Sequence, residues 1–178
     1  MQIFSHSIVE QIPSLRRYAR TLTGGNPENA DDLVQDTLER AYSKWNLFRV
    51  GAKLRPWLFS IMHNVFINEI RRPGSRLTTE SMDEMLEIGM PAPQENHVRV
   101  CEVLTAVGRL APELREVLVL VSVEEFSYAE VAKILDIPTG TVMSRLFRAR
   151  AQLRVLTGEP ARSATQSGLR LVQNSGEG

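Results

Sequence analysis

The chain has 178 residues, of which 43% are hydrophobic and 24% are charged, with a formal net charge of zero. This composition is typical of a folded protein of one medium or two small domains. The sequence has no apolar run long enough to span a bilayer, no basic-then-apolar signal peptide, and one cysteine, which excludes an internal disulfide framework. We therefore expect a cytoplasmic protein without membrane insertion.

The first part of the chain predicts two successive helices. Apolar residues recur at helical spacing in the first helix, which is expected to end at Gly24-Gly25. Asn26 is a suitable N-cap for the second helix, and Pro27 suits its first position because the first turn needs no N–H there. The positions predicted to face inward are Leu15, Ala19, Leu22, Ala30, Leu33, Val34, Thr37 and Ala41.

A third helix is predicted from Pro56 to Arg72, after a break at residues 46–53 that contains Gly51. It is expected to end before Pro73, which cannot continue a helix. Its apolar side is formed by Leu58, Ile61, Met62 and Val65. Asparagine can read base edges and an aromatic ring can stack on an unpaired base. The residues available for such contacts on this helix are Trp57, Ser60, His63, Asn64 and Asn68, and His63 could equally be an ordinary surface histidine. For Trp57, packing in the core is the favoured interpretation.

The fold class is predicted to be all-α, with two small helical domains. Residues 73–96 are acidic and proline-containing, without sustained periodicity, and predict a flexible linker between domains 1–72 and 97–157. A short helical turn is possible at residues 82–88. Residues 158–178 are rich in glycine and serine and are expected to be disordered. Whether the two domains pack together or stand apart is left open.

The second domain predicts a helix-turn-helix. Ser127 and Glu130 form a capping box at the start of its first helix, and a turn at residues 136–138 leads into the second. On the second helix an apolar arc is separated from a polar one, which contains Thr141, Ser144, Arg145 and Arg148 at positions i, i+3, i+4 and i+7. Arginine pairs with guanine or phosphate, and serine and threonine adapt as donors or acceptors. DNA binding in the major groove is the favoured function, and a purely structural helix pair is the alternative.

A stripe of acidic and amide side chains occupies one face of the second helix of the chain. Its members are Asp32, Gln35, Asp36 and Glu39. On spacing alone, a solvated acidic face is the favoured interpretation, and a docking face for a basic protein surface is the alternative. The charge distribution is consistent with two kinds of partner, because residues 44–72 and 145–154 are basic whereas residues 28–39 and 80–95 are acidic.

The sequence offers no pattern typical of an enzyme. It contains no Gly-rich phosphate loop, no paired catalytic carboxylates and no nucleophile–base arrangement. His97 and Cys101 have the i, i+4 spacing of two metal ligands, but they have no third ligand nearby. We expect no catalysis, no metal and no cofactor.

Three segments in this order resemble the extracytoplasmic-function group of bacterial sigma-70 family RNA polymerase sigma factors. They are NPENADDLVQDTLERAY (26–42), LRPWLFSIMHNVFINEIRR (54–72) and YAEVAKILDIPTGTVMSRLFRARAQLR (128–154). The resemblance implies that Asp32, Gln35, Asp36 and Glu39 dock on the β′ clamp helices of RNA polymerase core, which reverses the preference for a solvated face. It also implies that the 46–55 loop, with Trp57, Asn64, Asn68, Arg71 and Arg72, recognises and opens the −10 element.

By the same resemblance, the helix-turn-helix reads the −35 element of promoter DNA and meets the polymerase β flap. The family's mode of control implies an anti-sigma factor as a further partner, and a gene set that responds to stress or to a signal. Met143 departs from the family pattern, because this position is often basic. The alternatives are a sigma-like decoy that binds an anti-sigma factor and a simple helix-turn-helix regulator.

Overall fold

The computed structural model of the chain describes residues 7–48, 53–73 and 95–158, except for the side chains of residues 47 and 95–101. Helices dominate these residues, and no strand occurs among them. No helix in these ranges has the length and apolar character needed to cross a membrane. Almost all of the predicted linker 73–96, the possible turn at 82–88, Gly51 and the tail from residue 159 lie outside the described residues.

Three helices form the N-terminal unit: α1 (Ile12–Leu22), α2 (Pro27–Ser43) and α3 (Leu54–Ile70), with a short 3-10 helix at Trp45–Leu47. The glycines after α1 adopt positive φ angles, 63° at Gly24 and 92° at Gly25, which only glycine adopts readily. The side chain of Asn26 accepts a hydrogen bond from the backbone N–H of Asn29 at 3.0 Å, so the predicted N-cap is confirmed.

The predicted inward positions of the three helices are buried, but α3 buries more than one side. It starts and ends two residues earlier than predicted, and Phe59 and Phe66 are buried in addition to the four predicted positions. The reason is that α3 packs against α2 on one side and against a helix of the C-terminal unit on another. A one-face periodicity cannot reveal a second buried face.

The C-terminal unit consists of α4 (Glu95–Gly108), α5 (Pro112–Ser122), α6 (Tyr128–Leu135) and α7 (Thr139–Leu156). The capping box of α6 is present: the Ser127 hydroxyl accepts from the N–H of Glu130 at 3.3 Å, and the Glu130 carboxylate accepts from the N–H of Ser127 at 3.0 Å. Asp136 turns the chain with a φ of 52°. The predicted apolar arc of α7 consists of Val142, Leu146, Ala149 and Leu153, and the first three are buried while Leu153 is half-buried against the core.

The two units pack against each other and share one hydrophobic core. α1 contacts α5, and α3 contacts α6. At the centre, the fully buried ring of Phe59 stacks on Tyr18 at 5.0 Å and meets Phe126 of the C-terminal unit edge-on at 4.9 Å. The arrangement that the sequence left open is therefore a packed one.

Candidate functional site

The polar face of α7 points toward solvent, because the opposite, apolar face of the helix is buried in the core. Ser144 and Arg148 are exposed, whereas Thr141 and Arg145 are half-buried. The Ser144 hydroxyl donates to the carbonyl of Thr141 at 3.0 Å, and Nε of Arg148 donates to the carbonyl of Ser144 at 3.4 Å. These are local contacts within one helix, so the guanidinium groups keep further donors for a ligand. The geometry is compatible with a helix lying in the major groove.

An apolar strip runs beside this polar face, and sequence reasoning missed it. Phe147 is 71% exposed and Met143 is 50% exposed. They line a groove together with Tyr128, Leu146, Leu153 and two basic residues, Arg150 and Arg154. Met143 stood out in the sequence as a departure from a basic position, and its i, i+4 spacing with Phe147 is the signal that would have revealed the strip.

The candidate −10 residues of α3 are not all equally accessible. Trp57 is half-buried against the core and its ring lies 4.9 Å from that of Phe48, in agreement with the packing interpretation. Asn64, Asn68, Arg71 and Arg72 are exposed, and Arg72 forms an ion pair with Glu69 at 2.8 Å. The exposed amides thus remain available to a ligand, while Trp57 is only half-exposed.

The acidic stripe of α2 is exposed along its whole length. The amide of Gln35 donates to the carboxylate of Glu39 at 3.1 Å. Partial burial raises the pKa of Asp36, and the nearby carboxylates of Glu39, Glu69 and Asp32 raise it further against the opposing charge of Arg40. A site crowded with like charges is relieved by a cationic partner, so the electrostatics favour a basic ligand surface.

The acidic stripe and the candidate −10 residues meet in one cleft between α2 and α3. Its lining residues are Asp36, Glu39, Arg40, Ser43, Val65, Asn68, Glu69 and Arg72. One side of the N-terminal unit therefore places two carboxylates of the stripe and the amide of Asn68 within a single cleft. The sequence placed these residues on two helices but could not place the helices side by side.

The two units are also joined by polar contacts, which the sequence analysis did not predict. The carboxylate of Glu124 is fully buried and accepts from Nε of Arg17 at 3.0 Å and from Nη2 of Arg55 at 2.5 Å. The carboxylate of Glu116 accepts from the hydroxyl of Tyr18 and lies 2.8 Å from Nδ1 of His63. Burial, and then the charge of Glu116, raise the pKa of Tyr18 well above its ordinary value.

A further ion pair joins the two units at the surface. Nζ of Lys53 lies 2.8 Å from Oε1 of Glu130. Hydrogen bonds from Lys53 and from Ser127 lower the pKa of Glu130 to about 2. Within the described residues no group of three or more His, Cys, Asp or Glu side chains is placed to hold a metal ion, and the side chains of His97 and Cys101 lie outside that description.

Two parts of the chain match known families. Residues 8–63 match the Sigma2 domain of PhyR, and residues 102–153 match Sigma-70, region 4. The ECF RNA polymerase sigma factor EcfG of Rhodopseudomonas palustris is 36% identical over 149 residues, which cover 84% of this chain and 82% of that protein. The chain belongs to the ECF RNA polymerase sigma factors. Sigma factors are transcription initiation factors, and they perform no catalysis of their own.

Solved structures agree with this membership of the ECF sigma factors. The sigma factor RpoE of Bartonella quintana, solved in complex with the anti-sigma factor NepR, has a TM-score of 0.73 and 30% identity, with 89% of this chain and 99% of that chain covered. The anti-anti-sigma factor PhyR of Bartonella quintana, complexed with NepR, has a TM-score of 0.55 and covers 85% of this chain and 50% of that chain. At 20% identity, PhyR shares the fold alone.

Proposed function

We propose that this ECF sigma factor directs RNA polymerase core to the promoters of a stress- or signal-responsive gene set. The N-terminal domain, residues 1–72, docks on the β′ clamp helices and recognises the −10 element. The C-terminal domain, residues 97–157, reads the −35 element and meets the β flap. The chain is not an enzyme, and it works in the cytoplasm, where it is controlled by an anti-sigma factor.

One observation carries this proposal: different chemistry is presented on separate exposed surfaces. The acids of α2 suit a basic protein surface, whereas Ser144 and Arg148 of α7, on a different unit, suit DNA. Opening a duplex costs a few kcal/mol for each unstacked step, and capture of extruded bases at the exposed Asn64 and Asn68 offsets part of this cost. No catalytic group is needed for that work.

Run-off transcription tests the proposal. Core polymerase is incubated with genomic fragments, with and without the chain, in the absence of any anti-sigma factor. We expect transcripts from discrete start sites only when the chain is present, because core polymerase alone lacks promoter selectivity. If no site-selective initiation occurred with the chain, the proposed function would be wrong. A gel-shift with the free chain is expected to show only weak binding to promoter duplex, because two tethered modules gain avidity only when their separation is fixed.

A sigma-like decoy that captures an anti-sigma factor is the second candidate. The match of residues 8–63 to the Sigma2 domain of PhyR supports it, since PhyR is an anti-anti-sigma factor. A decoy has no use for a DNA-reading face, and the outward arginines of α7 therefore favour the promoter function. The same run-off assay separates the two, because a decoy yields no transcript with core polymerase.

Asp36→Asn is expected to weaken binding to core polymerase without lowering the stability of the chain. The raised pKa of Asp36 means that the folded chain disfavours its ionised form, so its charge lowers the free energy of unfolding at neutral pH. The variant is expected to unfold at the same or a higher urea concentration, while its affinity for core polymerase falls on the order of tenfold.

Asp31→Asn is the matched control for this variant. Asp31 lies on the same helix beside the stripe but is not one of its four residues, and it pairs with Arg16 of α1 at 3.0 Å in an exposed ion pair of small energetic value. Its affinity for core polymerase is expected to stay close to that of the unaltered chain. Equal losses of affinity for both variants would show that α2 acts through its overall charge and not through the stripe.

A further inference from the structure

Glu124 occupies an unusual position for a glutamate, at the centre of the packing between the two units. Its side chain is fully buried, and both of its cationic partners come from the other unit: Arg17 from α1 and Arg55 from α3. Nη1 of Arg55 also donates to the backbone carbonyl of Glu124 at 2.8 Å. Because the carboxylate and its two partners lie on different units, this pairing exists only while the two units are together.

The local backbone directs Glu124 and Phe126, two residues further on, toward the N-terminal unit. Glu125 adopts a left-handed φ of 56°, and the N–H of Phe126 donates back to the carbonyl of Leu120 at 3.0 Å, which closes the turn after α5. As a result, Arg55 lies between the buried carboxylate and the Phe126 ring, with its guanidinium carbon 4.7 Å from the ring centre. Arg55 is therefore held by two contacts with the C-terminal unit: the ion pair with Glu124 and the cation–π contact with Phe126.

Because the Glu124 carboxylate is buried, the packed arrangement of the two units depends on that carboxylate keeping its cationic partners. A charge removed from water is tolerated only when it is paired and hydrogen-bonded, and loss of one partner of a buried pair is strongly destabilising. Removing the charge of Glu124 would leave Arg17 and Arg55 close together without their shared counter-ion. The packed state should therefore respond to a change at Glu124 far more than to a change at an exposed acid.

We propose that Glu124 is a latch that keeps the free sigma factor closed by holding Arg17 and Arg55 across the junction of its two units. The inference rests on the proposed function, in which the segment ending at Arg55 serves the −10 element. Lys53, in the same segment, is held by Glu130 at 2.8 Å. Promoter phosphates and the acids of the C-terminal unit thus compete for the same cations, and opening of the latch precedes engagement of the −10 element.

The distance between the two units, measured by single-molecule energy transfer, tests the latch. Dyes are attached to Ser43→Cys on α2 and Gln152→Cys on α7, both exposed positions, in a full-length chain that also carries Cys101→Ser. In the absence of polymerase, Glu124→Gln is expected to raise the ratio of open to closed molecules on the order of tenfold or more, as for loss of a hydrogen bond to a charged group. The apparent affinity for core polymerase should rise with the open fraction.

Glu125→Gln is the matched control, because it makes the same chemical change at the adjacent, exposed position. It is expected to leave the energy-transfer distribution unchanged. Should Glu124→Gln unfold by circular dichroism, Arg17→Gln decides the question, since it removes one partner at a position whose side chain is 52% exposed. A distribution that stays closed in the folded variant would overturn the latch.

The outcome separates the latch from the proposed function. The distance measurement needs neither polymerase nor promoter, whereas run-off transcription needs no information about the closed state. A chain that opens on Glu124→Gln but never directs initiation retains the latch and refutes the promoter role. A chain that directs initiation but does not open on Glu124→Gln retains the promoter role and refutes the latch.

Discussion

Phe59→Ala is expected to lower the free energy of unfolding by about 3–5 kcal/mol, the range found for truncation of buried aromatic side chains. Phe59 is fully buried and contacts an aromatic ring on each side, Tyr18 within its own unit and Phe126 in the other. The substitution removes both ring contacts and leaves a cavity at the junction. Urea denaturation followed by circular dichroism and by tryptophan fluorescence measures the loss.

Phe147→Ala is the control for this effect, because Phe147 has the same side chain but is 71% exposed. Its free energy of unfolding is expected to change by no more than about 0.5 kcal/mol. A similarly small loss for Phe59→Ala would mean that the two units do not pack through this residue in solution.

Arg148→Ala is expected to reduce transcription from a cognate promoter by roughly ten- to a hundredfold, since one bidentate arginine–base contact is worth about 1–3 kcal/mol. Among the residues that the structure describes, Arg148 hydrogen-bonds to a carbonyl of its own helix, so its removal leaves no buried partner there unsatisfied. The folded chain should keep its stability. Quantitative run-off transcription and urea denaturation measure the two effects separately.

Arg150→Ala provides the matched control on the same helix. Arg150 is also exposed, but two residues further on it lies about 200° around the helix axis and borders the apolar groove instead of the polar face. We expect it to change transcription several-fold less than Arg148→Ala does. If both variants lost the same activity on every template, Arg148 would contribute general attraction to phosphate and not base recognition.

Local chemistry made much of the fold predictable. The Asn26 N-cap, the capping box of Ser127 and Glu130, and the buried arc of α7 each depend on residues within a few positions of one another, and each is present in the structure. The family resemblance, which is confirmed by the 36% identical relative, depends on three such local segments in order. The predicted roles of individual site residues remain predictions.

Contacts between distant residues could not be predicted. Glu124 is followed by Glu125, and two adjacent acids after a helix are typical of a solvated turn, yet the first is buried and the second is exposed. The partners that explain this difference lie 107 and 69 residues away along the chain. The burial of Phe59 was missed for the same reason. It depends on packing against the C-terminal unit, which the spacing of apolar residues along α3 does not reveal.

The two oxygens of the Glu130 carboxylate have separate partners. Oε1 receives Lys53 from the N-terminal unit, whereas Oε2 receives the backbone and the hydroxyl of Ser127 at the start of α6. Departure of Lys53 would therefore free one oxygen and leave the other in place. The capping box at the start of α6 does not involve Lys53, so α6 would keep its N-terminal cap if this surface contact between the two units were broken.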